Sequence, residues 1–144
     1  VRTVLALALA LAASALAAPV PKALKVKTDA ERFEGRWEGV SIEGEHGPQP
    51  YTMFLLVAGG KIGMNEKNDN SLVADQPITM TDSTSPSGFD VTWSWADKPT
   101  RNIFKVDGDL LYLCNTFYGG PRPTEFKPDT RVGQYLFVYR RVKE

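Results

Sequence analysis

Asn102-Ile103-Phe104-Lys105-Val106-Asp107-Gly108-Asp109-Leu110-Leu111-Tyr112-Leu113-Cys114-Asn115 is the stretch that decides the fold class of this chain. Asp-Gly is a strong two-residue hairpin signal, because the tight turn that matches the twist of paired strands needs positive φ at its centre. The apolar residues on either side predict two antiparallel strands, Asn102 to Val106 and Asp109 to Asn115, joined at Asp107-Gly108.

Outward from this hairpin the same logic repeats. Phe89 to Trp95 alternates, with Phe89, Val91, Trp93 and Trp95 on one face and Asp90, Thr92 and Ser94 on the other, which predicts a half-buried strand. Gly59-Gly60 predicts a second hairpin between Tyr51 to Ala58 and Lys61 to Asn65. Strands are further predicted from Gly35 to Ile42, Ile78 to Thr81 and Gln134 to Val142. The Gly/Pro/Ser-rich stretches from Glu43 to Pro50, Ser83 to Gly88 and Thr116 to Gly133 read as loops. Thr28 or Asp29 is placed to cap one short helical turn that ends before Gly35. About eight sequential antiparallel strands with hairpin connections predict an all-β fold, a small up-and-down barrel, because closure removes the sheet edges that invite aggregation.

Residues 1–17 read as a cleavable secretory signal. Arg2 is the basic start, Val4 to Ala13 the apolar run, and Ala15-Leu16-Ala17 the small-residue cut site. The run is short beside the roughly 20 residues of a bilayer span, and Pro19 and Pro21 follow it, so no stable membrane anchor is expected after cleavage. Residues 18–28 read as a flexible tether and 29–144 as one domain. The expected location is outside the cytoplasm, periplasmic or extracellular.

The 144 residues carry 17 basic and 17 acidic side chains, and a balanced charge of this kind implies no nucleic-acid partner. Cys114 is the one cysteine, so no internal disulfide can form and stability must come from packing and sheet hydrogen bonds.

Gly35-Arg36-Trp37 opening the first strand is similar to the Gly-x-Trp signature of lipocalins. That resemblance implies that Trp37 closes the barrel floor under an arginine from the end of the last strand, Arg140 or Arg141, as a cation–π contact. A longer match runs in order through Gly35-x-Trp37, the Ile103 to Cys114 hairpin, Arg122-Pro123-Thr124-Glu125-Phe126 and the closing strand. In that order the chain resembles a family of uncharacterised lipocalin-like domains abundant in planctomycete bacteria. The resemblance implies the barrel and export and supplies no catalytic residues, and the middle of the chain matches it only loosely.

Bottom-up chemistry agrees that no catalytic residue is to be named. His46, the only histidine, sits in Glu43-Gly44-Glu45-His46-Gly47-Pro48, and one nitrogen with two loop carboxylates falls short of a closed zinc site. There is no nucleophile elbow or phosphate-cradling loop, so no metal and no cofactor is expected. Candidate ligand-binding residues are Trp93 and Trp95, placed to stack a flat or apolar molecule or else to fill the core, and Arg122, placed to grip an anion at the barrel mouth. The structural account of the Arg122 segment pairs Arg122 with Glu125 and uses Phe126 as a barrel plug.

Finally, Tyr51 to Ala58 and the last strand are apolar on both faces, and with Val40 and Ile42 facing outward they predict a contiguous apolar exterior over three strands. That surface calls for a cover: the Pro19–Phe33 segment, a second copy, or a partner domain. The expected function is non-enzymatic binding of a small apolar or flat ligand or a partner. The alternative is an envelope structural or interaction module with a filled core.

Overall fold

A computed structural model describes residues 24–81 and 85–143. The leader expected over 1–17, the first part of the tether and Ser83 fall outside the described residues. Within them the chain is a closed antiparallel barrel. A helical turn α1 (Asp29–Phe33) precedes β1 (Gly35–Gly44), β2 (Gly47–Pro50), β3 (Phe54–Ala58), β4 (Lys61–Asn65) and β5 (Gln76–Thr81). There follow β6 (Gly88–Val91), β7 (Thr100–Asp107), β8 (Leu110–Thr116) and β9 (Gln134–Arg141). Neighbours in space run β2-β1-β3-β4-β5-β6-β7-β8-β9, and β1 also pairs with β9. Eight strands thus form the ring, and β2 is an extra edge strand on the far half of β1.

β2 lies where a loop is expected. Pro48 and Pro50 read as breakers, but both sit on an edge strand, where a missing N–H forfeits no ladder bond. The central hairpin forms with its turn one residue later than expected: Asp107 pairs with Leu110, so Gly108 and Asp109 make the turn and only Gly108 has positive φ, at 58°. Gly59-Gly60 turns as expected, both at positive φ, with Ala58 opposite Lys61.

The ring has a closed end and an open one. At the closed end Thr28 caps α1, its Oγ1 accepting from the Glu31 N–H at 3.2 Å while its own N–H donates to Glu31 Oε2 at 2.8 Å. This turn drives Phe33 into the barrel, its ring centroid 4.5 Å from Phe104 and 5.1 Å from Phe89. Trp37 is fully buried beside it, and its indole N–H donates to the Phe33 carbonyl at 2.9 Å. The Arg141 guanidinium lies 4.0 Å from the Trp37 ring centroid and donates to the carbonyls of Glu34 at 2.9 Å and Arg32 at 2.6 Å. Arg140 points outward into solvent. Of the two arginines, Arg141 therefore covers the floor.

The expected apolar exterior does not form as a continuous patch. The β1–β9 register slips between Gly39 and Ser41, so Val40 bulges out and Ile42, opposite Phe137, turns inward against the core. The outward positions of β1 are then Arg36, Glu38, Ser41 and Glu43, a polar stripe between Phe54 and Leu56 on β3 and Leu136 and Val138 on β9. Residues 24–33 do not cover this face either: α1 closes the barrel end, while Leu24 and Val26 are exposed. Two other parts of the outside are covered by the chain's own connections. Segment 66–75 folds over β4, burying Leu72, and the connection after β8 folds over β7 and β8, burying Ile103 and Cys114.

Cys114 faces outward beneath that second connection, its thiol 3.5 Å from the Lys127 carbonyl. Burial pushes the thiol up from 9.0 to about 11. The neutral thiol is the form the fold prefers, so this contribution to stability is intact below pH 9.0 and is lost as pH rises towards about 11. Burial also raises the Tyr51 and Tyr139 phenols above 10.0, and they act in the same alkaline direction. Urea-unfolding midpoints are expected to fall progressively above pH 9, and Cys114→Ala to flatten the first part of that fall. Parallel declines in the two proteins would contradict this placement of the thiol.

Candidate functional site

The open end brings together five aromatic side chains, Trp93, Trp95, Phe117, Tyr118 and Tyr135. β6 leaves the sheet after Val91, and the Ala96 N–H closes a turn on the Trp93 carbonyl at 2.9 Å. The expected strand to Trp95 is therefore cut short, and the two indoles do not occupy successive inward positions of one strand. Instead Trp95 folds back over Trp93, centroids 5.0 Å apart and planes 10° from parallel. Trp93 is only 8% exposed whereas Trp95 is 69% exposed, so one indole plugs the barrel and the other offers its outer face to solvent.

Opposite them stands the start of the β8–β9 connection. The Gly119 N–H donates to the Pro99 carbonyl at 3.1 Å, tying this loop to the chain that follows Trp95. Phe117 packs edge-on to Tyr135 at 5.9 Å. Tyr118 has φ of 59°, the one positive value among described non-glycine residues, and the residue is 83% exposed. Left-handed backbone at a bulky residue is strained, and such strain gathers at ligand clamps. Between these walls lies an open cleft of about 350 Å³, lined by Trp93, Trp95, Phe117, Tyr118 and Tyr135 with Asp97 and Lys98 among the remaining lining residues.

Trp93, Trp95 and Phe117 also border a second space, a narrow lumen of about 50 Å³ inside the barrel. At about 10–15 Å³ per water this holds a few waters or one small chemical group, not a whole ring system. Its apolar walls include Leu55, Ile62, Phe89 and Phe137; its polar groups are Tyr51, Tyr139, Asn102 and Asn115. The Tyr51 hydroxyl lies 3.4 Å from the Met64 sulfur and is hydrogen-bonded to Tyr139. Asn102 Nδ2 donates to the carbonyls of Phe89 at 3.2 Å and Thr100 at 3.0 Å.

Arg122 belongs to neither space. Its guanidinium lies on the outer surface of β6, donating to Asp90 Oδ1 at 2.6 Å and to the carbonyls of Asn102 at 2.9 Å and Phe89 at 3.3 Å. The expected Arg122–Glu125 pair is absent, because Glu125 engages Lys127 at 2.6 Å. Phe126 is not a barrel plug but lies outside, 4.8 Å from the Lys105 ammonium. Arg122 staples the long connection to the barrel wall, and its donors are turned to protein acceptors rather than to the mouth. His46 is exposed in the β1–β2 turn, and no group of three or more metal-ligating side chains occurs among the described residues.

Phe117, Tyr118, Tyr135, Asn102 and Asn115 are site residues that sequence reasoning passed over. A usable signal existed for the asparagines. Each follows the inward parity of its strand, Asn102-x-Phe104 on β7 and Leu111-x-Leu113-x-Asn115 on β8, and the two face each other across the ladder. A turn placed one residue early pairs Asn102 with Leu113 instead and hides the match. No family model, no curated protein and no solved structure matches the chain.

Proposed function

We propose that this protein is a non-enzymatic binder of a small, flat, largely apolar molecule, held at the open mouth of the barrel. One observation carries the reading: an exposed indole, Trp95, is pre-stacked on a buried one over an aromatic cleft that adjoins the lumen. Ordering a free indole on binding costs rotamer entropy, and here the Trp93 contact already limits that freedom. The cleft is of the size that small-molecule sites occupy, and aromatic walls with few polar groups are their usual lining. The compartment we propose, outside the cytoplasm, rests on the secretory pattern of residues 1–17. The lipocalin-like kinship remains part of the proposal, supported by the Gly35-x-Trp37 motif and by Arg141 over the indole.

Calorimetric titration with naphthol and with fluoronaphthalene tests this. At least one is expected to bind the wild-type protein with one-to-one stoichiometry, and Trp95→Ala to weaken it about tenfold or more. The exposure of Trp95 means that the substitution should change folding stability by no more than about 1 kcal/mol. Binding unaffected by Trp95→Ala, or no binding of either compound, would overturn the reading. The narrowness of the lumen favours the second reading, an interaction module with a nearly filled core. That reading gains if neither compound binds.

A further inference from the structure

Trp95 and Tyr118 are the two aromatic residues left mainly exposed among the described residues, at 69% and 83%, and both line the same cleft. Trp95 stacks on Trp93 and Tyr118 tilts against Phe117 at 6.1 Å, but among the described residues the two exposed rings make no ring contact with each other. Folding gains little from Tyr118. Its backbone is left-handed, where glycine or asparagine sits with less strain, its side chain leaves most of its apolar area in water, and its hydroxyl makes no hydrogen bond among the described residues. A strained backbone that carries an exposed aromatic is an outlier that points to a role outside folding. The turn is nevertheless held in place. The Gly119 N–H donates to the Pro99 carbonyl at 3.1 Å and the Gly120 N–H to the Phe117 carbonyl at 3.2 Å, while the Lys98 stem packs against Gly119, where a Cβ would come within 3.2 Å of Lys98 Cδ. Lys98 and Pro99 closely follow Trp95, so the backbones that carry Trp95 and Tyr118 are tied to each other.

Resting on the mouth-binding reading above, we infer that Tyr118 is the second jaw of the site, and that the ligand is a planar ring system gripped between Trp95 and Tyr118, one aromatic residue to each face. Tyr118 is then a specificity-determining residue, and what it selects is flatness. A flat ring brings all its carbons to the favourable separation of about 3.5–4.0 Å from a ring stacked on either side. A saturated ring of the same skeleton is puckered and carries hydrogens on both faces, so it cannot. Trp95 alone makes this selection on one face; the pair makes it on both. The contact is through the π-face, which leaves the phenol hydroxyl dispensable. The class that fits is an unsaturated, planar, fused or conjugated ring compound, rather than a fatty chain or a saturated polycyclic skeleton.

Whichever of naphthol and fluoronaphthalene binds the wild-type protein serves as the probe, measured against its fully hydrogenated counterpart. The wild-type protein is expected to hold the aromatic compound about tenfold tighter than the saturated one. Tyr118→Asn is expected to weaken the aromatic probe about tenfold with a urea-unfolding midpoint no lower than that of wild type, because asparagine tolerates the left-handed backbone. Tyr118→Phe, which keeps the π-face, is expected to bind within about twofold of wild type. Wild-type affinity in Tyr118→Asn, with binding still sensitive to Trp95→Ala, would overturn the second jaw and leave the mouth reading intact. Equal affinity of the wild-type protein for the aromatic and the saturated compound would do the same, as would a lowered unfolding midpoint in Tyr118→Asn, which would make the tyrosine a structural residue. No binding of naphthol or fluoronaphthalene would overturn both. Where Tyr118→Asn fails to fold, the comparison of the two compounds on the wild-type protein decides alone.

Discussion

Trp37→Ala is expected to lower the stability of the barrel by about 3–5 kcal/mol, most of what a domain of this size has to lose. The indole is the largest of the fully buried side chains, and three things depend on it. Its removal leaves a cavity at the centre of the closed end, where Phe33 and Leu55 lose a packing surface. It strips the Phe33 carbonyl of its donor at 2.9 Å. It also takes the π-face from under Arg141, whose guanidinium ties Arg32 and Glu34 to the last strand. Arg140→Ala, one residue earlier on the outward face, is the control and is expected to change stability by no more than about 0.5 kcal/mol. Urea-unfolding midpoints measure both. A Trp37→Ala loss below about 1 kcal/mol, or equal losses for the two variants, would contradict the closure described.

The second large effect belongs to a residue with nothing to offer but its size. Gly63 lies on β4, opposite Leu56, and points outward where segment 66–75 crosses the barrel wall. A Cβ at this position would stand 1.7 Å from the Val73 carbonyl oxygen and 2.6 Å from its carbon, so backbone must move. Gly63→Ala is expected to cost about 3 kcal/mol, the upper range for forced overpacking, and to detach the segment that buries Leu72. Gly59 makes the comparison instructive. It sits in a turn at φ of 58° with open space around the missing Cβ, so Gly59→Ala bears only the left-handed backbone penalty of about 1–2 kcal/mol. A ranking by turn propensity alone puts Gly59 first. The reverse order, measured by thermal unfolding, is what the close approach requires, and a Gly63→Ala variant as stable as wild type would contradict it.

Much of the barrel was legible because its signals are local. The existence of a hairpin about Gly108, though not its exact turn residues, the turn at Gly59-Gly60 and the alternation of Phe89 and Val91 each depend on backbone geometry within a few residues. What stayed hidden depends on pairings across the sheet. The bulge at Val40 carries no distinctive residue, yet it reverses the parity of everything after it on β1, turning Ile42 in and a polar stripe out. Pro48 and Pro50 argue against a strand until one knows that β2 is an edge. Arg122 found Asp90 on a strand 32 positions away rather than its near neighbour Glu125, a choice made by the folding of the long connection.

The candidate site was legible in part for the same reason. Trp93 and Trp95 stand out by residue type, but their stacking follows from a turn that ends β6 early. Asn102 and Asn115 become a pair only when the hairpin register is known to the residue. Tyr118 becomes notable only through its backbone conformation.

The three tryptophans supply their own test of where a ligand sits, because Trp37 marks the closed end and Trp93 and Trp95 the open one. Titration of the isotope-labelled protein with naphthol, followed at the three indole N–H resonances, is the most direct measurement. Binding at the mouth predicts saturable shifts of the Trp93 and Trp95 signals with a common dissociation constant and an unmoved Trp37 signal. Three unmoved signals, or a Trp37 signal that shifts in step with the others, would contradict it.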